Sequence, residues 1–204
     1  MSLSDSQIRE LGKRLSIPIA DICFKDELPE ILEFNKAYFI NLQDSVDQDG
    51  QPSPGTHWTY LQCVQYPKGQ IESIYFDPYG VQPPEYVKEV VKNTTNNGLP
   101  YTTKDIQSLL NNACGYYCLA FGHFINASQF RTGNLFQDTE IFLSMFDDLN
   151  KSTDFKKNEY ILKHFFRSSD PDKRVAINVD NISADNEPGG IDAFKLPVDI
   201  KYKQ

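Results

Sequence analysis

The chemistry available to this chain centres on one thiol. Cys114 lies in NNACGYYC, where asparagines able to cap a helix precede a run with helical periodicity, so its sulfur falls at the first turn of a predicted helix. A helix N-terminus and a neighbouring histidine are the commonest devices that favour a thiolate, and the thiolate is the nucleophile. The small residues around it, Asn111-Asn112-Ala113 before and Gly115 after, leave room for a substrate backbone to approach the sulfur. His57 opens the aromatic and β-branched run HWTYLQCVQY, just after a Gly- and Pro-rich loop, where a rigid scaffold can present a catalytic side chain. Asp77 ends the next extended run, QIESIYF, and the Pro67-Lys68-Gly69 turn folds the two runs into an antiparallel hairpin. Its carboxylate can then reach a nitrogen of His57 and orient the imidazole.

Taken singly, a strand-end histidine or an Asp-Pro turn is ordinary structure; the set carries the chemistry. Trp58 beside His57 either shields a site or packs the core. Cys118 falls one turn beyond Cys114 on the apolar face and reads as core, as do Cys23 and Cys63. His123 and His164 lie within helical patterns and read as packing residues. With no CxxC pair and scattered histidines, the chain offers no zinc pattern, so no metal or other cofactor is expected.

The elements that must hold these residues follow from periodicity. Ile8, Leu11 and Leu15 share one face of an N-terminal helix that stops at SIPIAD. KAYFINL reads as a buried strand, and DSVDQDGQPSPG as a surface loop. Pro83-Pro84 opens a helix carrying Tyr86, Val87, Val90 and Val91, which NTTNNGLP closes. A short extended stretch over Tyr101–Gln107 leads to the Cys114 helix, and two amphipathic helices, Thr139–Leu149 and Phe155–Phe166, follow as an expected hairpin. From Ser168 the chain turns polar, with Pro171, Pro188 and a Gly189-Gly190 pair. One domain over residues 1–167 and an extended tail over 168–204 are therefore expected.

Composition limits the functions. The 204 residues hold 28 acidic and 20 basic side chains, a formal charge of −8, which argues against a nucleic-acid partner. Aromatics make up 13%, enough to fill a core. Apolar runs fall well short of the roughly 20 residues that cross a bilayer, and MSLSDSQIRE has no apolar signal segment, so no membrane partner and no secretion are expected. Free thiols in a reducing compartment fit the cysteine spacing better than disulfides.

The order GTHW, then YFDPYG, then Gln107 seven residues before Cys114, then Cys-Gly resembles the adenovirus-type (adenain-like) maturation proteases. More distantly it is similar to the ubiquitin-like protein proteases that share their fold. IADICFKDELPE and FINLQDS look closest to the proteases of virophages and polinton-type elements. The resemblance spans roughly Ile17 to Ile125.

It implies an α+β, papain-like fold with a central mixed, mainly antiparallel sheet flanked by helices. It further implies a cysteine endopeptidase with Cys114 as nucleophile, His57 as general base, Asp77 orienting His57, Gln107 donating to the oxyanion and Trp58 lining a narrow substrate cleft. Substrates would be capsid or other structural precursors cut after Gly-Gly or Gly-X during particle maturation, in the virion or in host cytoplasm or nucleus. Self-cleavage after Gly190 is a further expectation, against its reading as a turn. With no cysteine between Asp77 and Gln107, an activating peptide tethered by a disulfide is not expected, although an untethered one fits. Other classes are an isopeptidase removing a ubiquitin-like modifier, an acyltransferase, for which no basic cluster is seen, and a capsid-associated protein that kept the fold without the chemistry.

Overall fold

The computed structural model describes residues 3–127, 132–151 and 155–166. Along the chain run α1 (Asp5–Arg14), β1 (Ile19–Phe24), β2 (Lys36–Asn41), β3 (Trp58–Gln65), β4 (Ile71–Phe76), α2 (Glu85–Thr95), α3 (Cys114–Asn126), α4 (Leu135–Ser144) and α5 (Phe155–Phe166). The tail expected from Ser168, Gly190 included, lies outside the described residues.

The architecture is α+β, a four-stranded mixed sheet flanked by helices. Strand order is β1-β2-β3-β4, with β1 parallel to β2 and the other two pairings antiparallel. Both faces of the sheet are covered, which explains why β3 is apolar on alternate residues of both parities. Trp58, Tyr60 and Val64 enter the core shared with α1, α3, α4 and α5, whereas Leu61 and Cys63 join Val87, Val90 and Val91 of α2 on the other face. The hairpin closes as expected: Gly69 N–H donates to the Tyr66 carbonyl at 2.8 Å. β1 is a strand the periodicity did not single out; Pro18 and the charged residues after Phe24 mask a six-residue run that pairs with β2.

Helix α3 is apolar on every side and runs through the centre of the main core, which suits a helix buried all round. Its Gly122 faces Tyr60, where a Cβ would stand 2.7 Å from the ring, so β3 and α3 can approach this closely only without a side chain there. The far end is pinned by polar bonds: Asn126 Nδ2 donates to the Tyr60 hydroxyl at 3.0 Å, and Gln62 Nε2 donates to Asn126 Oδ1 at 3.0 Å. These contacts set where α3 begins, and hence where Cys114 stands, relative to β3.

α4 starts earlier and ends earlier than the expected Thr139–Leu149. Asn134 caps it, its Oδ1 accepting from Gln137 N–H at 2.8 Å, and past Ser144 the chain turns to give the Leu149 N–H to the Asp105 carbonyl. α5 has its expected bounds. Both helices rest on α3, with Phe142 against Phe121 at 5.2 Å between ring centres.

Candidate active site

A tight turn places the acid. Asp77-Pro78-Tyr79-Gly80 leaves the end of β4, with Gly80 N–H bonded to the Asp77 carbonyl at 2.8 Å. Gly80 has φ +68°, and a Cβ there would lie 2.6 Å from the Thr103 carbonyl oxygen, so glycine is required on both counts. Tyr79 N–H donates to Asp77 Oδ1 at 2.8 Å, the Asx-turn bond that aims the carboxylate. The segment after α2 runs alongside: Tyr75 N–H donates to the Pro100 carbonyl, and the N–H groups of Ile106 and Gln107 donate to the Pro78 carbonyl at 2.8 and 3.1 Å. This ladder carries Gln107 to the turn that holds Asp77.

His57 enters from the neighbouring strand. Leu42 N–H bonds the His57 carbonyl at 3.1 Å and Asn41 Oδ1 accepts from Thr56 N–H at 3.3 Å, so the loop ahead of β3 is tied to the end of β2. His57 Nε2 and Asp77 Oδ1 are then 2.9 Å apart, with Asp77 1% exposed. Cys114 is the other group that acts on the imidazole, raising its pKa alongside Asp77. With Nε2 given to Asp77, the nitrogen left for the thiol is Nδ1.

Cys114 is the first residue of α3 and is buried. It stands at the positive end of a thirteen-residue helix dipole, next to an imidazole. Asn111 shapes the approach, its Oδ1 accepting from Ala113 N–H at 3.2 Å and its amide donating to Glu159 of α5. The room expected beside the sulfur is partly filled. A Cβ on Gly115 would stand 3.1 Å from the Leu3 side chain, so that glycine admits the segment ahead of α1 rather than a substrate. A capping box of Ser4 with Gln7 fixes α1 and thereby holds Leu3 in place.

Electrostatics follow from these neighbours. Burial alone would push the His57 pKa down, but the hydrogen bond and charge of Asp77, together with the neighbouring Cys114, outweigh it and carry the pKa up to about 9. At neutral pH the ring is thus mostly imidazolium, and by reciprocity the pairing favours the Cys114 thiolate. The other thiols are the opposite case. Burial pushes Cys23 and Cys63 up to about 12 and Cys118 well above its ordinary value. None of the four cysteines is in a disulfide.

The chain matches no known protein-family model and no curated protein.

His57, Asp77, Cys114 and Gln107 therefore come together from four separate segments. Trp58 does not open onto a cleft: it is 6% exposed, sits in the core with Cys114, and its indole N–H donates to the Leu3 carbonyl at 2.8 Å. Gln107 is 1% exposed, and its amide donates to the Asn111 carbonyl at 3.2 Å and to the Tyr79 hydroxyl at 3.1 Å. His123 and His164 are spent on the carbonyls of Leu15 and Tyr160. Among the described residues no group of three His, Cys, Asp or Glu side chains gathers as a metal site, and no helix is long and apolar enough to cross a membrane.

Sequence reasoning missed Tyr79. Its ring stacks on His57 with centroids 4.6 Å apart and planes 24° from parallel. Its position two residues after Asp77 in a DPYG turn is the signal that could have found it, because an Asx turn returns that residue to the carboxylate. Leu109 and Leu110, 83% and 89% exposed, also flank the site in the loop between Gln107 and Cys114.

Proposed function

We propose that this chain is a cysteine endopeptidase of papain-like, adenain-like fold that cuts structural precursor proteins after small residues, Gly-Gly or Gly-X, during particle maturation. The observation that carries the reading is the hydrogen bond of Asp77 to His57, with His57 in turn coupled electrostatically to Cys114 at the start of a buried helix. The order of GTHW, DPYG, Gln107 and Cys-Gly, similar to that of the adenovirus-type maturation proteases, supports it.

The chemistry begins from the ion pair. The Cys114 thiolate attacks the carbonyl carbon, the C–S bond forms, and the carbonyl electrons move to oxygen. The start of α3 and the Gln107 amide system offset the charge there. The intermediate collapses, the C–N bond breaks, and the His57 imidazolium gives its proton to the leaving amine. His57, now neutral, takes a proton from water, whose oxygen attacks the thioester and releases the acid and the thiolate. His57 thus acts first as acid and then as base, with Asp77 holding Nε2 throughout.

Fluorogenic peptides with Gly-Gly or Gly-X before the reporter amide test the reading, with C114A as control. Cys114-dependent hydrolysis of short peptides is expected. Hydrolysis of ubiquitin-like modifier conjugates with none of the peptides would instead mark an isopeptidase, and inertness toward both would defeat the reading.

A further inference from the structure

We propose that the Tyr79 hydroxyl is a catalytic group that donates a hydrogen bond to the oxyanion formed when Cys114 attacks a substrate carbonyl. The inference rests on the protease reading above and extends it.

Tyr79 contacts the rest of the machinery directly. Its ring stacks on His57 at 4.6 Å, its N–H donates to Asp77 Oδ1 at 2.8 Å, and its hydroxyl oxygen accepts from Gln107 Nε2 at 3.1 Å. A primary amide has two protons, and Gln107 gives the other to the Asn111 carbonyl at 3.2 Å. Both are therefore engaged within the site, and the path from Gln107 to a substrate oxygen runs through the phenol.

A phenol that accepts one hydrogen bond still has its own proton to donate. Among the described residues nothing takes that proton from Tyr79. The ring is half-buried, one face covered by His57, and the hydroxyl is held by Gln107. The bond received from Gln107 polarises the phenol and makes it a better donor, as expected of a hydrogen-bonded chain in a site of low dielectric. Burial first, then the charges of Cys114 and Asp77, push its pKa up to about 12, so the donor stays protonated at neutral pH.

The step balances without moving the Tyr79 proton. As sulfur bonds to carbon and the carbonyl electrons shift to oxygen, the O–H shortens its contact with that oxygen. When the intermediate collapses and the amine leaves with the proton of His57, the contact relaxes. Preorganised donors of this kind act on the transition state more than on the ground state, so their loss lowers kcat.

Y79F tests this, because it keeps the stacked ring and removes the donor. Two rates are compared: hydrolysis of a Gly-Gly fluorogenic peptide, which forms an oxyanion, and alkylation of Cys114 by iodoacetamide, which does not. The expected result is a fall in kcat of about 10²-fold with KM changed by less than about threefold, and alkylation unchanged within about twofold. A Q107A/Y79F double variant should lose little more than either single variant, since both act through one donor. Hydrolysis by Y79F at the wild-type rate would overturn the inference and leave the protease reading standing. Alkylation slowing in step with hydrolysis would also overturn it, by placing the effect on the thiolate. A wild-type chain without Cys114-dependent hydrolysis would remove the protease reading and this inference with it.

Discussion

Replacing Asp77 by Asn separates charge from geometry at the centre of the site. Asn keeps an oxygen for His57 Nε2 and Tyr79 N–H, bonds now 2.9 and 2.8 Å long, and removes the negative charge. His57 stands at about 9 against an ordinary 6.5, a rise equivalent to about 3 kcal/mol of preference for the imidazolium. Asp77 contributes to that rise both by its hydrogen bond and by its charge, against a burial effect that pulls the other way. Loss of the charge should therefore lower the His57 pKa by at least about one unit, or about 1.4 kcal/mol. Stability carries the same sign. Because the folded value lies above the ordinary one, the pairing stabilises the fold fully below pH 6.5, and its contribution is lost as pH rises through about 9. D77N should flatten that slope. It should also cost about 1–3 kcal/mol at all pH values, since Asp77 Oδ2 is buried without a hydrogen-bond partner among the described residues and an amide NH₂ would take its place. NMR titration of the histidine ring protons, with H57A for assignment, reads the pKa, and urea melts across pH read the stability. A wild-type His57 titrating near 6.5, or a D77N chain still titrating near 9, would refute the reasoning.

Alkylation by iodoacetamide below pH 8, mapped by mass spectrometry, should label Cys114 alone, because burial raises the other three thiols; H57A should slow it, and equal labelling of all four would contradict the electrostatics. G80A should destabilise the chain by about 2 kcal/mol or more and depress activity, since φ is +68° and a Cβ would meet the Thr103 oxygen at 2.6 Å; a wild-type melting curve would count against it. W58F leaves the Leu3 carbonyl without its indole donor, so urea denaturation should show a loss of about 1–2 kcal/mol with KM little changed, whereas a large rise in KM at unchanged stability would restore Trp58 to the substrate cleft.

What was legible in the sequence is what local rules encode. The His57 and Asp77 runs pair because Pro67-Lys68-Gly69 turns the chain, and α3 is apolar enough to be read as a buried helix with Cys114 in its first turn, although Ala113 rather than an asparagine stands at its cap. β1 was hidden because its pairing to β2 is parallel and non-local, so no hairpin turn announces it. Trp58 and Gly115 were read as facing a substrate, and both instead receive Leu3, a contact across more than fifty residues that no periodicity signals. Tyr79 escaped for a related reason. Its stacking on His57 and its bond from Gln107 depend on three segments meeting, and only the Asx-turn bond to Asp77 is local. The shift of α4 toward Asn134 follows from a cap that outranks the run of apolar residues after Thr139.

The central claim is that Cys114 is acylated by peptide carbonyls with the help of His57. The most direct measurement is to mix the chain with a Gly-Gly peptide ester, quench in acid within one turnover, and locate the adduct by intact mass and peptide mapping. The account predicts one acyl group, as a thioester on Cys114, that disappears as water regenerates the thiol and that H57A strongly reduces. An absence of adduct, or acylation elsewhere that C114A leaves untouched, would contradict it.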